Sequence, residues 1–152
     1  MSQCIVDQPN DLLEAVGQTL GPSEPLVVTQ ERINQFAEAT GDDQWIHVDQ
    51  ERAASGPFGH TIAHGYLTLS LAAYFLPQLL SVKNMSMGVN YGTEKVRFPS
   101  AVTEGSTLRA TGEIISAEES GGGVKVVVRM TLAADGAERP ACVVDTISLF
   151  YP

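Results

Sequence analysis

At 152 residues, with 43% hydrophobic and 18% charged side chains, the chain fits a single folded domain over 1–152; two independent cores and a disordered tail are both excluded. Eighteen acidic against nine basic residues give a formal charge of −9, which repels phosphate backbones and anionic lipid and so speaks against nucleic-acid and membrane partners. The only cysteines, Cys4 and Cys142, form no CxxC pair, which excludes a disulfide framework and a cysteine zinc site and fits a reducing cytoplasm.

The start, Met1 to Asp7, has neither the cationic opening nor the long apolar run of a secretory leader. Asn10-Asp11 is a helix start, and Leu12, Leu13 and Val16 predict a brief helix before Gly17, Gly21 and Pro22. A short strand over Leu26 to Val28 follows. Thr29 then caps a second helix, with Ile33, Phe36, Ala37 and Thr40 at helical spacing and Gly41 at its end. Asp42 to Asp49 has no helical period and is expected as a loop, with Asp49 capping a short helix through Ala54 before Gly56-Pro57-Phe58-Gly59.

Ile62 to Leu80 reads as one helix, apolar around nearly its whole circumference, and such a helix must be surrounded by protein. Its most apolar stretch, Tyr66 to Leu76, is eleven residues long, against roughly 20 needed to span a bilayer. The second half of the chain changes to period two. Met85, Met87, Val89 and Tyr91 alternate, then Val96 with Phe98, and Leu108 to Ile114, predicting strands with one buried face. Ser120-Gly121-Gly122-Gly123 turns the chain into Val124 to Leu132, and Asp135-Gly136 turns it again toward Val143 to Phe150. The sum is an α+β domain of the hotdog kind, an antiparallel sheet of about five strands wrapped around one long buried helix. The sheet edge left open by that arrangement predicts a homodimer.

All three histidines, His47, His60 and His64, fall in the same segment as Asp42, Asp43 and Asp49. A metal reading puts His60 and His64 at i and i+4 on one helix face beside a carboxylate; no zinc signature accompanies them, and no metal is expected. An acid/base reading pairs Asp42 with His47, five positions on, so that a carboxylate and an imidazole hold one water. The bland alternative makes Asp42 a turn cap and His47 a satisfied polar residue. Gly65, at the start of the apolar helix, offers an unpaired N–H to a carbonyl oxygen, or serves only close packing.

The run from Phe36 to Asp49, with Gly41-Asp42-Asp43-Gln44-Trp45-Ile46-His47, then Gly56-Pro57-Phe58-Gly59 and Ile62-Ala63-His64-Gly65, resembles the MaoC-like (R)-specific enoyl-CoA hydratases, as do Asn90-Tyr91-Gly92 and Lys95-Val96-Arg97-Phe98-Pro99. The resemblance implies reversible, cofactor-free addition of water to a trans-2-enoyl-CoA, giving the (R)-3-hydroxyacyl-CoA. It implies Asp42 and His47 as catalytic residues and Gly65 as the donor to the thioester oxygen, without saying which dyad member is acid or base. Asn90 and Arg97 are the further expected substrate contacts, Arg97 or Lys95 meeting coenzyme A phosphates; a merely solvated Arg97 is the alternative. The chain departs from many members in having Gln44-Trp45 for Asn-Pro, and from some in having Ala73 for a helix serine, with Ser70 and Thr68 nearby. The rival functions are a hotdog acyl-CoA thioesterase and a non-catalytic acyl-CoA binding protein.

Overall fold

A computed structural model describes residues 3–152, so that Met1 and Ser2 of the leader reading lie outside the described residues. The chain opens with strand β1 (Cys4–Val6), followed, where a brief helix was expected, by one of 3-10 form over Pro9–Glu14. Pro9 and Leu12 are the buried residues of that turn, too few for a full α-helical stripe. Strands β2 (Thr19–Leu20) and β3 (Leu26–Val27) lead into helix α1 (Gln30–Thr40). Thr29 caps α1 by accepting the Arg32 N–H at 3.1 Å, and Gly41 ends it at φ 83°, its N–H returning to the Ala37 carbonyl at 2.8 Å.

The segment expected as a loop carries one helical turn, α2 (Trp45–Val48), before α3 (Gln50–Ala54). Four residues are too short to show a period, so their helicity is invisible to pattern reading. Asp49 caps α3 as expected, accepting the Arg52 N–H at 3.0 Å.

The apolar helix differs from expectation in start and continuity. It begins at Gly65, because Ile62 bridges to Thr103 and the Ala63 N–H is taken by the Val102 carbonyl at 2.7 Å, holding that stretch extended. It is also divided into α4 (Gly65–Ser70) and α5 (Ala72–Leu79). At the joint the Leu71 N–H is shared between the Leu67 and Thr68 carbonyls, at 3.0 and 3.2 Å, a local 3-10 tightening. Strand β4 (Leu80–Val82) then pairs in parallel with β1.

Strands β5 (Met87–Arg97), β6 (Thr107–Ser120), β7 (Gly123–Ala134) and β8 (Cys142–Tyr151) supply most of the sheet. The order is β2-β6-β7-β8-β5, with β3 also paired to β6, giving six antiparallel strands rather than about five. Gly121 and Gly122, at φ 54° and 84°, make the β6–β7 turn that the glycine run predicted. Along β7 the alternation places Val124, Val126, Val128, Met130 and Leu132 inward, fully buried against Leu67, Leu71, Phe75 and Leu79 of the helix. A sheet curled around a helix is the hotdog arrangement expected from the sequence.

Two burial expectations fail. The helix is not covered all round: Tyr66 is 71% and Tyr74 is 47% exposed, with Ala73 between them on the same open face. Strand β5 has no buried face either, since Tyr91 is 67% and Met87 53% exposed and only Val96 is half-buried. Strand β5 is the sheet's edge strand, and among the described residues no element covers the outer side of α4 and α5 or the outward side chains of β5. No helix among the described residues is long and apolar enough to cross a membrane.

Candidate active site

Three chain segments meet beside the start of α4. The left-handed Gly41 turn carries the chain out of α1 to Asp42, whose N–H reaches the Thr40 hydroxyl at 3.3 Å. The α2 turn carries His47, and the extended 61–64 segment delivers His64 and Gly65. These pieces are laced together by backbone bonds: Ile62 N–H to Ile46 carbonyl at 2.9 Å, and Glu104 N–H to Thr61 carbonyl at 2.9 Å. Gln30 of α1 donates to the His47 carbonyl at 2.8 Å and accepts from the Thr61 hydroxyl, tying α1, α2 and the 61–64 segment into one frame.

Asp42, His47, His64, Gly65, Tyr66 and Phe98 line one cleft of about 230 Å³. A carboxylate oxygen of Asp42, a ring nitrogen of His47 and one of His64 lie within 4.8 Å of one another. Asp42 is exposed, while His47 and His64 are buried. The His47 Nδ1 sits 2.7 Å from the Ile62 carbonyl oxygen. A carbonyl only accepts, so Nδ1 carries the proton and Nε2 is left as a lone-pair nitrogen. A water hydrogen-bonded to two acceptors at about 2.8 Å separates them by roughly 4.6 Å, which falls inside the 4.8 Å that bounds this group.

Gly65 is the first residue of α4, where an N–H has no intrahelical acceptor. A Cβ added there would lie 3.3 Å from the Phe98 ring, which stands over the glycine and closes one side of the cleft. Phe98 and Gly65 also border a neighbouring depression of about 320 Å³ lined by Phe58, Ile62, Thr68 and Pro99.

Of the residues singled out in the sequence, Asp42, His47 and Gly65 come together. Asn90 lies elsewhere, in a groove of about 250 Å³ between the helix and strands β5 and β8, with Leu69, Ala73, Leu76 and Thr93. Arg97, at the end of β5, is exposed and donates to the carbonyl of its neighbour Val96 at 3.1 Å. The single chain brings neither to the dyad. His60 is exposed, 3.8 Å from Glu104, and the 60–64 segment is not helical, which removes the metal reading built on His60 and His64. His47 and His64 do approach each other, but their rings stack with centroids 3.8 Å apart and planes at 21°. Stacked imidazoles hold their in-plane lone pairs in two near-parallel planes about 3.8 Å apart, whereas zinc needs them to converge on one point at about 2.0 Å.

The departures from the family pattern also find their places. Ala73 lines the Asn90 groove, and neither nearby hydroxyl is free for the dyad: Ser70 donates to the Tyr66 carbonyl at 2.7 Å and Thr68 to the His64 carbonyl at 3.4 Å. Trp45 turns outward beneath the Arg52 guanidinium, 4.2 Å above its ring, with Gly56 against its edge. For His64, the sequence offered only a metal pairing with His60 and gave no sign of its contact with Asp42. Its Nε2 lies 2.8 Å from the Asp42 backbone carbonyl, a contact across 22 positions that leaves no periodic trace.

The comparisons with known proteins agree with one another. The 3-hydroxyacyl-thioester dehydratase Z of Mycobacterium tuberculosis is 49% identical over 138 residues, covering 90% of this chain and 91% of that protein. Among solved structures, a monoamine oxidase regulatory protein from Archaeoglobus fulgius superposes with a TM-score of 0.77 at 22% identity, covering 100% of this chain and 99% of that one. The (R)-hydratase from A. caviae superposes at 0.71 with 23% identity, covering 90% and 96%. The model of the MaoC-like domain matches residues 11–136. By that match, and by its near-half identity to a relative over nearly full length, the chain belongs to the MaoC-like domain family.

Proposed function

We propose that the chain, as one MaoC-like domain, is a dehydratase acting reversibly on acyl thioesters: it adds water across the double bond of a trans-2-enoyl-CoA to give the (R)-3-hydroxyacyl-CoA. The observation that carries this reading is the Nδ1–H of His47 locked on the Ile62 carbonyl, which leaves Nε2 as the free base of the cleft that Asp42 also lines. The name of the 49% identical relative, a 3-hydroxyacyl-thioester dehydratase, supports the same chemistry.

A water between two acceptors donates one hydrogen to each, so Asp42 and His47 Nε2 occupy both hydrogens and leave the oxygen lone pair facing the substrate. As that oxygen attacks C3, Nε2 takes one proton. The electrons move through C2 to the thioester carbonyl, and the Gly65 N–H meets the charge that develops on its oxygen. The imidazolium then returns its proton to C2. One water is consumed, no net proton is released, and no cofactor is required. The Asp42 carboxylate stabilises the transient imidazolium as well as the water.

The groove containing Asn90 runs along the same helix that begins at Gly65 and suits an apolar acyl chain, with Leu69, Ala72 and Leu76 on its helix side. The exposed edge strand β5 and the open face bearing Tyr66 and Tyr74 support a homodimer that covers both.

A spectrophotometric assay with crotonyl-CoA tests the function. Loss of the conjugated enoyl absorbance without free thiol is expected. Thiol release would make the chain a thioesterase, and binding without turnover would make it a non-catalytic acyl-CoA binding protein.

A further inference from the structure

His64 is only 2% exposed and is held between two rings, Phe36 at 4.8 Å and His47 at 3.8 Å. Its Nε2 faces the Asp42 carbonyl at 2.8 Å, and since that oxygen only accepts, Nε2 carries the proton. Its Nδ1 is buried with no hydrogen-bond partner among the described residues. A side chain placed for packing alone would not leave a ring nitrogen bare in the interior, because burying an unpaired polar atom is costly. What the histidine gains in return is contact with both members of the dyad.

Asp42 stands on an exposed turn, and apart from His64 its backbone is held by the 3.3 Å bond from its N–H to Thr40. His47 is fixed in its own plane by the bond to Ile62, but nothing in that bond stops the ring rocking out of plane. The stacked His64 ring supplies that backing.

We propose that His64 is a positioning residue: a neutral, Nε2-protonated imidazole that pins the Asp42 peptide with its N–H and the His47 ring with its face, setting the gap in which the water sits. The inference rests on the Asp42/His47 reading above. It assigns His64 no contact with substrate, so its loss acts on the chemical step rather than on binding. Misplacement of a reacting group by about 1 Å costs on the order of 10²-fold in rate, which sets the expected scale.

The two contacts separate by substitution. His64→Phe keeps a flat ring but deletes the donor, whereas His64→Gln keeps an N–H at the reach of Nε2. With crotonyl-CoA, His64→Phe is expected to lower kcat by about 10- to 10²-fold with KM within about twofold of wild type and an unchanged thermal midpoint. His64→Gln restores the donor but not the ring face, and is expected to recover part of that loss. A purely structural role would instead move thermal midpoint and activity together in both variants. A folded His64→Phe with wild-type kcat, or a folded His64→Gln no faster than His64→Phe, overturns the inference.

His47→Ala, measured in parallel, separates the two levels. If it is inactive while His64→Phe is normal, the dyad stands and the role of His64 falls; if His47→Ala is as fast as wild type, the dyad falls and this inference with it. Should His64→Phe fail to fold, ¹⁵N spectra of the wild-type histidine side chains still decide. The account requires His64 protonated at Nε2 alone at pH 7, and an Nδ1–H tautomer or a doubly protonated ring overturns it.

Discussion

In the proposed mechanism Asp42, His47 and Gly65 divide the work by what each can offer: two acceptors for one water, and one backbone donor for one oxygen. Asp42→Asn and His47→Ala are each expected to lower kcat by about 10²–10⁴ with the fold kept, and the double variant to be little worse than the slower single, because the pair acts as a unit. Near-wild-type turnover in either folded single variant would remove that residue from the mechanism. Gly65 permits a cleaner test. His64, at φ −58° and ψ 141°, already has the extended backbone that a residue before proline needs, and proline is at home in the first helical position. Gly65→Pro therefore deletes the N–H at little backbone cost, and the half-exposed Phe98 ring is what must shift. A fall of about 10²–10³ in kcat is expected, with Gly65→Ala losing less because it keeps the donor. A stable Pro variant with normal kcat would leave Gly65 as a packing residue.

The elements explain how these groups are held. Strand β8 illustrates the sheet's part in this. Cys142 is fully buried on its inner face, and burial pushes its thiol from 9.0 up to about 11. Because the folded state binds that proton more tightly than the unfolded one, the stabilisation is complete below pH 9 and is lost as pH rises toward 11. The thermal midpoint should fall over that interval, less so in Cys142→Ala, and iodoacetamide should leave Cys142 unmodified in the native protein at pH 8. Rapid native alkylation would contradict the buried placement. At this scale the sequence was legible where one residue type solves one local problem, as with Thr29 and Gly41 at the ends of α1 and the glycines of the β6–β7 turn. It was not legible where distant backbone decides. Val102 and Thr103 capture Ala63 and Ile62, so the helix starts three residues later than its apolar pattern suggests. His64 likewise had only a sequence pairing with His60, in a metal reading set aside for want of a zinc signature, while the fold turns His60 to solvent and His64 toward Asp42.

For the whole molecule, the chain folds around one buried cluster running from Cys4 to Phe150, yet leaves an apolar edge and an open helix face. Alternation in β5 predicted a buried face that a single copy does not supply, since Met87, Val89 and Tyr91 all stand exposed. A second copy laid along β5 would supply it. Light scattering at micromolar concentration is expected to give twice the chain mass; a mass of 16.2 kDa would contradict the dimer. The central claim is that water held by Asp42 and His47 adds to C3 rather than to the thioester carbonyl carbon. Turnover of crotonyl-CoA in ¹⁸O-labelled water, read by mass spectrometry, tests it most directly. The account predicts the label in the C3 hydroxyl of an intact thioester, and no such product from Asp42→Asn or His47→Ala at matched times; label in a released carboxylate, with C3 unlabelled, would contradict it.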